Sequence, residues 1–205
     1  MIAALTMALA AFLYGAAGWC GTLVAEVLCA GRTPYADGPA PVAFARWPFA
    51  VVGACIGIAL VAHGEPPARL AVLVFVTLAL AGCCAADLSC GVLPDVLTLV
   101  PLAIVTGISA SAHDWMPALS AAFVFVPFAL AAVVSRGRGM GWGDAKLAAL
   151  GGALLGAREA AVAFMLAALA ASIIARRTTG ARRPIAFGPY LAAAIVAMLP
   201  LVRNI

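Results

Sequence analysis

Eight apolar runs separated by short polar stretches decide what this chain can fold into. They cover residues 2–28, 47–62, 70–86, 96–112, 116–134, 147–157, 160–175 and 185–202. A helix needs about 20 apolar residues to cross the hydrocarbon of a bilayer, somewhat fewer where flanking side chains reach the interface. Most of the runs approach that length. The sixth is too short for a full crossing, and is expected to start inside the membrane, tilt little or share its crossing with the loop before it. The chain is 66% hydrophobic and 10% charged, whereas a soluble domain carries about 25% charged residues. So little charge over so many residues excludes a nucleic-acid-binding domain, a secreted disulfide scaffold and a disordered tail. The expected fold is all-α: a polytopic helical membrane protein with about eight transmembrane helices, forming a single domain over residues 1–205 with the lipid bilayer as its solvent.

No Lys or Arg precedes Arg32, so the first run lacks the basic start of a cleavable signal peptide and reads as a retained helix. Orientation follows from how the positive residues divide between alternate loops. One side collects Arg32, Arg46, Arg136, Arg138, Lys146, Arg176, Arg177, Arg182 and Arg183; the other has Arg69, Arg158 and Arg203. Nine against three puts the first side in the cytoplasm and both chain ends outside. The loop over 29–46 then faces inward, as do those around 87–95, 135–146 and 176–184. The loop over 29–46 is rich in Pro and Gly and too short to be a folded domain. The arginines at 176, 177, 182 and 183 first set topology, with anionic lipid as a second partner.

Acidic residues are scarce, so their positions are informative. Asp37, Glu65, Asp114 and Glu159 fall in polar connections, where a solvated carboxylate is expected. Asp87 follows the unbroken apolar run 70–86 and so meets the negative end of a helix dipole, which favours cations. Helix stability cannot explain it, and ionisable groups at membrane depth are usually functional. Asp144 closes a run with glycines at 137, 139, 141 and 143, where it is expected to act as the N-cap of a helix beginning at Ala145. Lys146 is expected to snorkel to the interface, to hold this loop or to lower the pKa of the Asp144 carboxyl. Asp95, after Pro94, is expected to cap the helix over 96–112.

Asp87 and Asp144 fall in loops on the same face of one helical bundle. Two carboxylates brought together in a low-dielectric site cannot both ionise easily, so they share a proton. That is the arrangement of an aspartic protease, in which one Asp activates a water and its protonated partner polarises the scissile carbonyl. Such chemistry needs no metal. There is no H-E-x-x-H pattern of a zinc protease and no G-x-S-x-G of a serine hydrolase. The six cysteines form no C-x-x-C pair and are expected to be small buried hydrophobes. His63 and His113 are read as interfacial residues away from the aspartates. Gly53 and Gly57, like Gly152 and Gly156, have the spacing that lets helices approach closely.

The segment Gly141-Trp142-Gly143-Asp144-Ala145-Lys146 resembles the G-x-G-D-x-K signature of the prepilin peptidases, the type IV leader peptidases of bacteria. Asp87-Leu88-Ser89-Cys90-Gly91-Val92-Leu93-Pro94-Asp95-Val96-Leu97-Thr98 is similar to the first catalytic segment of that family. The small-residue stretch from Ala148 to Gly156 resembles the helix that follows the signature. Ile185-Ala186-Phe187-Gly188-Pro189-Tyr190-Leu191-Ala192 resembles its C-terminal P-F-G-P-x-L-A motif, with Ala186 in place of the first Pro.

The resemblance implies a multi-pass enzyme of the bacterial inner membrane that removes the basic leader of type IV prepilins or pseudopilins at the cytoplasmic face. Asp87 and Asp144 would be the catalytic pair, and Gly141, Gly143, Lys146, Pro94 and Asp95 would shape the active-site loops. Neither a cofactor nor a metal is implied. Longer members of the family have a cytoplasmic domain with paired C-x-x-C motifs between the first two helices, where this chain has only the loop over 29–46. That difference argues against zinc and against the N-methylation that the long forms also catalyse, and makes the chain similar to the short forms that serve Flp-type or Tad-type pili. The rival readings are a proton-coupled transporter relaying protons between the aspartates and a non-catalytic membrane subunit of pilus assembly.

Overall fold

The computed structural model describes residues 2–30, 44–135, 140–178 and 186–202. Arg32, Asp37, Arg136, Gly137, Arg138, Gly139, Arg182, Arg183, Ile185 and Arg203 lie outside the described residues, as does most of the loop over 29–46. Among the described residues all regular structure is helical. The order is α1 (Ile2–Cys29), α2 (Trp47–Ala62), α3 (Pro67–Cys90), α4 (Asp95–Ser111), α5 (Met116–Val134), α6 (Trp142–Leu155), α7 (Ala157–Thr178) and α8 (Gly188–Met198), the last running into a 3-10 turn at Leu199–Leu201. Each apolar run has become one helix. Proline at the first or second position, where its missing N–H costs no hydrogen bond, opens α2, α3, α5 and α8.

Among the described residues four helices, α1, α3, α5 and α7, are long and apolar enough to cross a membrane, while α2, α4 and α8 are shorter apolar helices. The chain is thus a multi-pass membrane protein by the length and composition of its helices. Their outer faces are greasy: Phe12 on α1, Phe123 on α5 and Met165 on α7 are 71%, 69% and 66% exposed. A monomer in water rarely shows apolar surface on that scale, whereas lipid solvates it without penalty.

α6 differs from the other helices. It starts at Trp142, before the apolar run at 147, and ends at Leu155, where Gly156 turns the chain with a φ of 84°. Its 14 residues rise only about 21 Å. From Asp144 to Leu155 every residue except Lys146 is buried, because α4, α5, α7 and α8 all pack around it. A helix apolar all round and enclosed by protein is a core element and has no need to span lipid by itself. One cluster of buried side chains draws on all eight helices, including Tyr14, Ile56, Leu73, Leu97, Val124, Leu150, Phe164 and Leu191.

Small residues let α1 and α2 touch at their backbones. A Cβ on Gly53 would stand 2.2 Å from the Tyr14 carbonyl oxygen, and one on Gly18 would stand 2.2 Å from that of Phe49. The Tyr14 hydroxyl then donates to the Leu70 carbonyl at 2.8 Å, joining α1 to α3. Glu65, expected in solvent, is instead enclosed. Its side chain is 5% exposed and pairs at 2.9 Å with Arg69, which also donates to the Val202 carbonyl. Charged groups held this far from solvent need such partners, and here the pair ties the start of α3 to the end of the last turn. The cysteines also divide: Cys83 and Cys90 are buried as expected, but Cys20 and Cys55 face outward.

Gly53→Val should weaken the fold by about 1–3 kcal/mol, since the nearest obstacle is backbone and cannot rotate away. A lowered thermal unfolding midpoint in detergent micelles, against an unchanged midpoint for a Val at the open position Gly107, would verify this.

Candidate active site

Asp87 occupies the last turn of α3, which runs one turn beyond the apolar run and ends at Cys90; Gly91 closes it in the left-handed conformation, φ 65°. The carboxylate is 6% exposed. Its conflict with the dipole of α3 is met by another helix. The N–H of Gly188, first residue of α8, donates to Asp87 Oδ2 at 2.9 Å. That amide has no partner within its own helix, and the positive end of α8 faces the carboxylate. Glycine is required there: a Cβ at 188 would stand 2.8 Å from the same oxygen.

Asp144 is not the N-cap that its place after the glycines suggested. Gly141 occupies that position in an extended conformation, and Asp144 is the third residue of α6. From there Asp144 Oδ2 reaches back to accept from the Gly141 N–H at 3.3 Å. This is the acidic half of a capping box; glycine has no side chain to supply the other half. Asp144 Oδ1 is buried and has no hydrogen-bond partner among the described residues. Burial pushes the carboxyl up from 3.8 to about 6, against the opposing pull of the Gly141 N–H. A neighbouring carboxylic acid of this kind can hold a proton near neutral pH.

The two carboxylates come from the last turn of α3 and the first turn of α6, and they interact electrostatically. Leu93 sets the surrounding geometry. A Cβ at Gly143 would press to 2.6 Å of the Leu93 Cβ, and a Cβ at Gly188 would come within 3.3 Å of its Cδ1. The Leu93 side chain is thus wedged between the glycine beside Asp144 and the glycine that bonds Asp87. Pro94, rather than Asp95, is the N-cap of α4, because its extended backbone immediately precedes the first helical residue. Asp95 lies inside that helix and pairs with Lys146 at 2.5 Å. Lys146 therefore clamps α6 to α4 instead of facing Asp144. The pair is partly exposed, so it contributes at most about 1 kcal/mol and serves mainly to align the two helices.

All seven expected residues thus gather around one seam, with Asp87 and Asp144 inside and the Lys146–Asp95 pair at its edge. Sequence reasoning assigned no role to Gly188 or Leu93. The Gly-Pro pair at the start of the last apolar run was the available signal for the first, and the aliphatic residue before Pro-Asp for the second. His63 and His113 lie at the distal ends of α2 and α4, away from the seam. Among the described residues no three His, Cys, Asp or Glu side chains gather into one cluster.

Residues 71–176, just over half of the chain, match the model of the type IV leader peptidase family. The chain belongs to that family. It is accordingly a peptidase of the leader-peptidase kind, and the matched region holds both aspartates, the Leu93-Pro94-Asp95 turn and the Gly141–Lys146 stretch. No curated protein and no solved structure matches it. Gly188, which holds Asp87 in this leader peptidase, lies beyond the matched region.

The shift of Asp144 has a stability consequence. Between pH 3.8 and about 6 the folded protein binds more protons at this site than the unfolded chain. Stability therefore falls as pH rises through that window, and above it the cost of a buried charge is fully present. Asp144→Asn, which cannot ionise, should be more stable than the parent above pH 6 by on the order of 2–3 kcal/mol, with the advantage disappearing near pH 4. Thermal unfolding in detergent at a series of pH values checks the sign, and an Asn variant that is less stable at pH 7.5 would contradict it.

Proposed function

We propose that this leader peptidase is an aspartic endopeptidase of the bacterial inner membrane, removing the basic leader of type IV prepilins or pseudopilins at the cytoplasmic face. The observation that carries the reading is the buried pair of carboxylates. Asp87 and Asp144 come from different helices, each is held through one oxygen by a glycine N–H, and the charge of Asp144 acts on Asp87. The stability of α3 does not call for Asp87, and although Asp144 caps α6, its burial makes its charge costly.

The chemistry follows from that arrangement. With one proton shared between two carboxyl groups, the ionised member takes a proton from water as the water oxygen attacks the scissile carbonyl carbon. The protonated member donates to the carbonyl oxygen and so stabilises the tetrahedral intermediate. Collapse breaks the C–N bond, the proton gained from water passes to the leaving amine, and the dyad returns to its starting state. Asp144 suits a share in that proton, because burial keeps its carboxyl near 6. Its Oδ1, with no partner among the described residues, is the oxygen left to meet water or the substrate carbonyl. Gly188 and Gly141 hold the other two oxygens and fix the orientation of both groups.

The cytoplasmic assignment rests on the excess of Lys and Arg in the loops that flank the seam. A proton-relay transporter would need acids near the middle of the bilayer, whereas both aspartates occupy terminal turns.

Co-expression with a prepilin tests the reading. Asp87→Asn and Asp144→Asn, each present in the membrane at the wild-type level, should each lower processing by a factor of roughly 10³ or more, as expected when residues act as a unit. Processing retained by either variant would contradict the dyad.

A further inference from the structure

A basic leader approaching the seam meets a positive face. Nine Lys and Arg residues fall on the side of the dyad, and the carboxylates there outside the dyad are Glu26, Asp37 and Asp95. Asp37 lies outside the described residues. Glu26 is committed, because Arg46 donates to its two oxygens at 2.8 and 2.7 Å. Asp95 is engaged through Oδ1 alone, by Lys146, and its Oδ2 has no hydrogen-bond partner among the described residues.

The place of Asp95 suits that open oxygen to a substrate. Its side chain is 61% exposed, so a ligand reaches it from the aqueous side. Two residues before it, Leu93 lies against Gly143 and Gly188, and its partner Lys146 stands two residues after Asp144. The pair is thus within one helical turn of the proposed reaction centre on both α4 and α6. Trp142, half exposed, precedes Lys146 by four residues, the spacing that sets two side chains on one helix face. A carboxylate attracts a Lys or Arg side chain by charge, and an indole face adds to that attraction. Lys146 itself shows that Asp95 accepts an amine on a long aliphatic stem. The dipole of α4 accounts for an acid at position 95, but leaves its free oxygen unused.

We propose that Asp95 reads a positive side chain of the leader close to the scissile bond, and that Lys146 holds the place of that cation in the enzyme without substrate. This deepens the peptidase reading and rests on it. Lys146 competes with the incoming cation for one carboxylate, so it sets a threshold: a leader side chain must outbid an internal one.

The test uses the full-length enzyme in nanodiscs of uncharged lipid, so that the bilayer does not itself attract the leader. Two fluorescent peptides each join a leader to an apolar helix of about 20 residues, one with Lys in the leader and one with Gln in the same positions. Wild type should bind the Lys peptide about fivefold more tightly than the Gln peptide, as expected for a partly exposed charge pair. Asp95→Asn should remove most of that preference, and Lys146→Met should increase it. Both substitutions break the same ion pair, so a purely structural clamp would move the ratio of the two Kd values in the same direction in both, or leave it unchanged. Either of those results would overturn the proposal. If Asp95→Asn does not reach the membrane, Lys146→Met decides alone, since a preference that fails to rise there contradicts competition for Asp95. Cleavage of the same peptides separates the two readings: binding that depends on Asp95 without any cleavage tells against the peptidase, whereas cleavage with a Lys preference indifferent to Asp95 leaves the peptidase standing and removes the leader site.

Discussion

Burying two carboxylates in one seam is the constraint on which the rest of this structure depends. An ionised carboxylate removed from water needs hydrogen-bond donors, and two of them near one another repel. The fold supplies donors from backbone, at the N-terminal ends of two helices. Gly188 offers an unpaired amide of α8 to Asp87, and Gly141 offers the cap amide of α6 to Asp144. Both donors are glycines, and at 188 the approach is so close that a side chain would displace the bonded carboxylate. The arrangement leaves one oxygen of Asp144 unpartnered among the described residues and its carboxyl displaced toward neutrality. A protein selected for stability alone would remove that acid; the proposed aspartic mechanism would use it.

Positioning two such groups requires a rigid frame, and α6 provides it. The helix is enclosed by four neighbours, so its first turn cannot move without disturbing the core that Leu147, Leu150 and Leu154 occupy. Leu93, wedged between Gly143 and Gly188, fixes the spacing among the turn after α3, the start of α6 and the start of α8. The Lys146–Asp95 pair adds alignment at the rim. Lipid-facing helices α1, α5 and α7 surround this assembly with apolar side chains.

Much of this was legible in the sequence, because bilayer solvation writes its demands in long apolar runs. The runs at 47–62 and 116–134 coincide with α2 and α5, where a proline inside the first turn and polar flanks mark both ends. The start of α6 was missed for a physical reason: Trp142-Gly143-Asp144 is neither apolar nor rich in helix formers, and its helix exists because the surrounding core and the Asp144 carboxylate hold it. The two aspartates stood out because acids are rare here, Asp87 at a helix end that favours cations and Asp144 after a run of alternate glycines. What the sequence could not show were contacts between distant positions. Lys146 finds Asp95, Arg69 finds the Val202 carbonyl, and Gly188 finds Asp87 only after the helices have packed. Glu65 looked solvated because it falls in a short connection between apolar runs; in the fold it pairs with Arg69, which bonds the Val202 carbonyl.

In the proposed mechanism Asp87 and Asp144 form one titrating unit that holds a proton near neutral pH. An infrared titration of the protonated-carboxyl band, on wild type and the two Asn variants in lipid, measures this directly. One protonated carboxyl is expected in the wild type at pH 6, lost as pH rises further, with the titration moved to lower pH when either partner is replaced. Two carboxyl groups that are both ionised well below pH 6, or a titration of one unaffected by removal of the other, would contradict it.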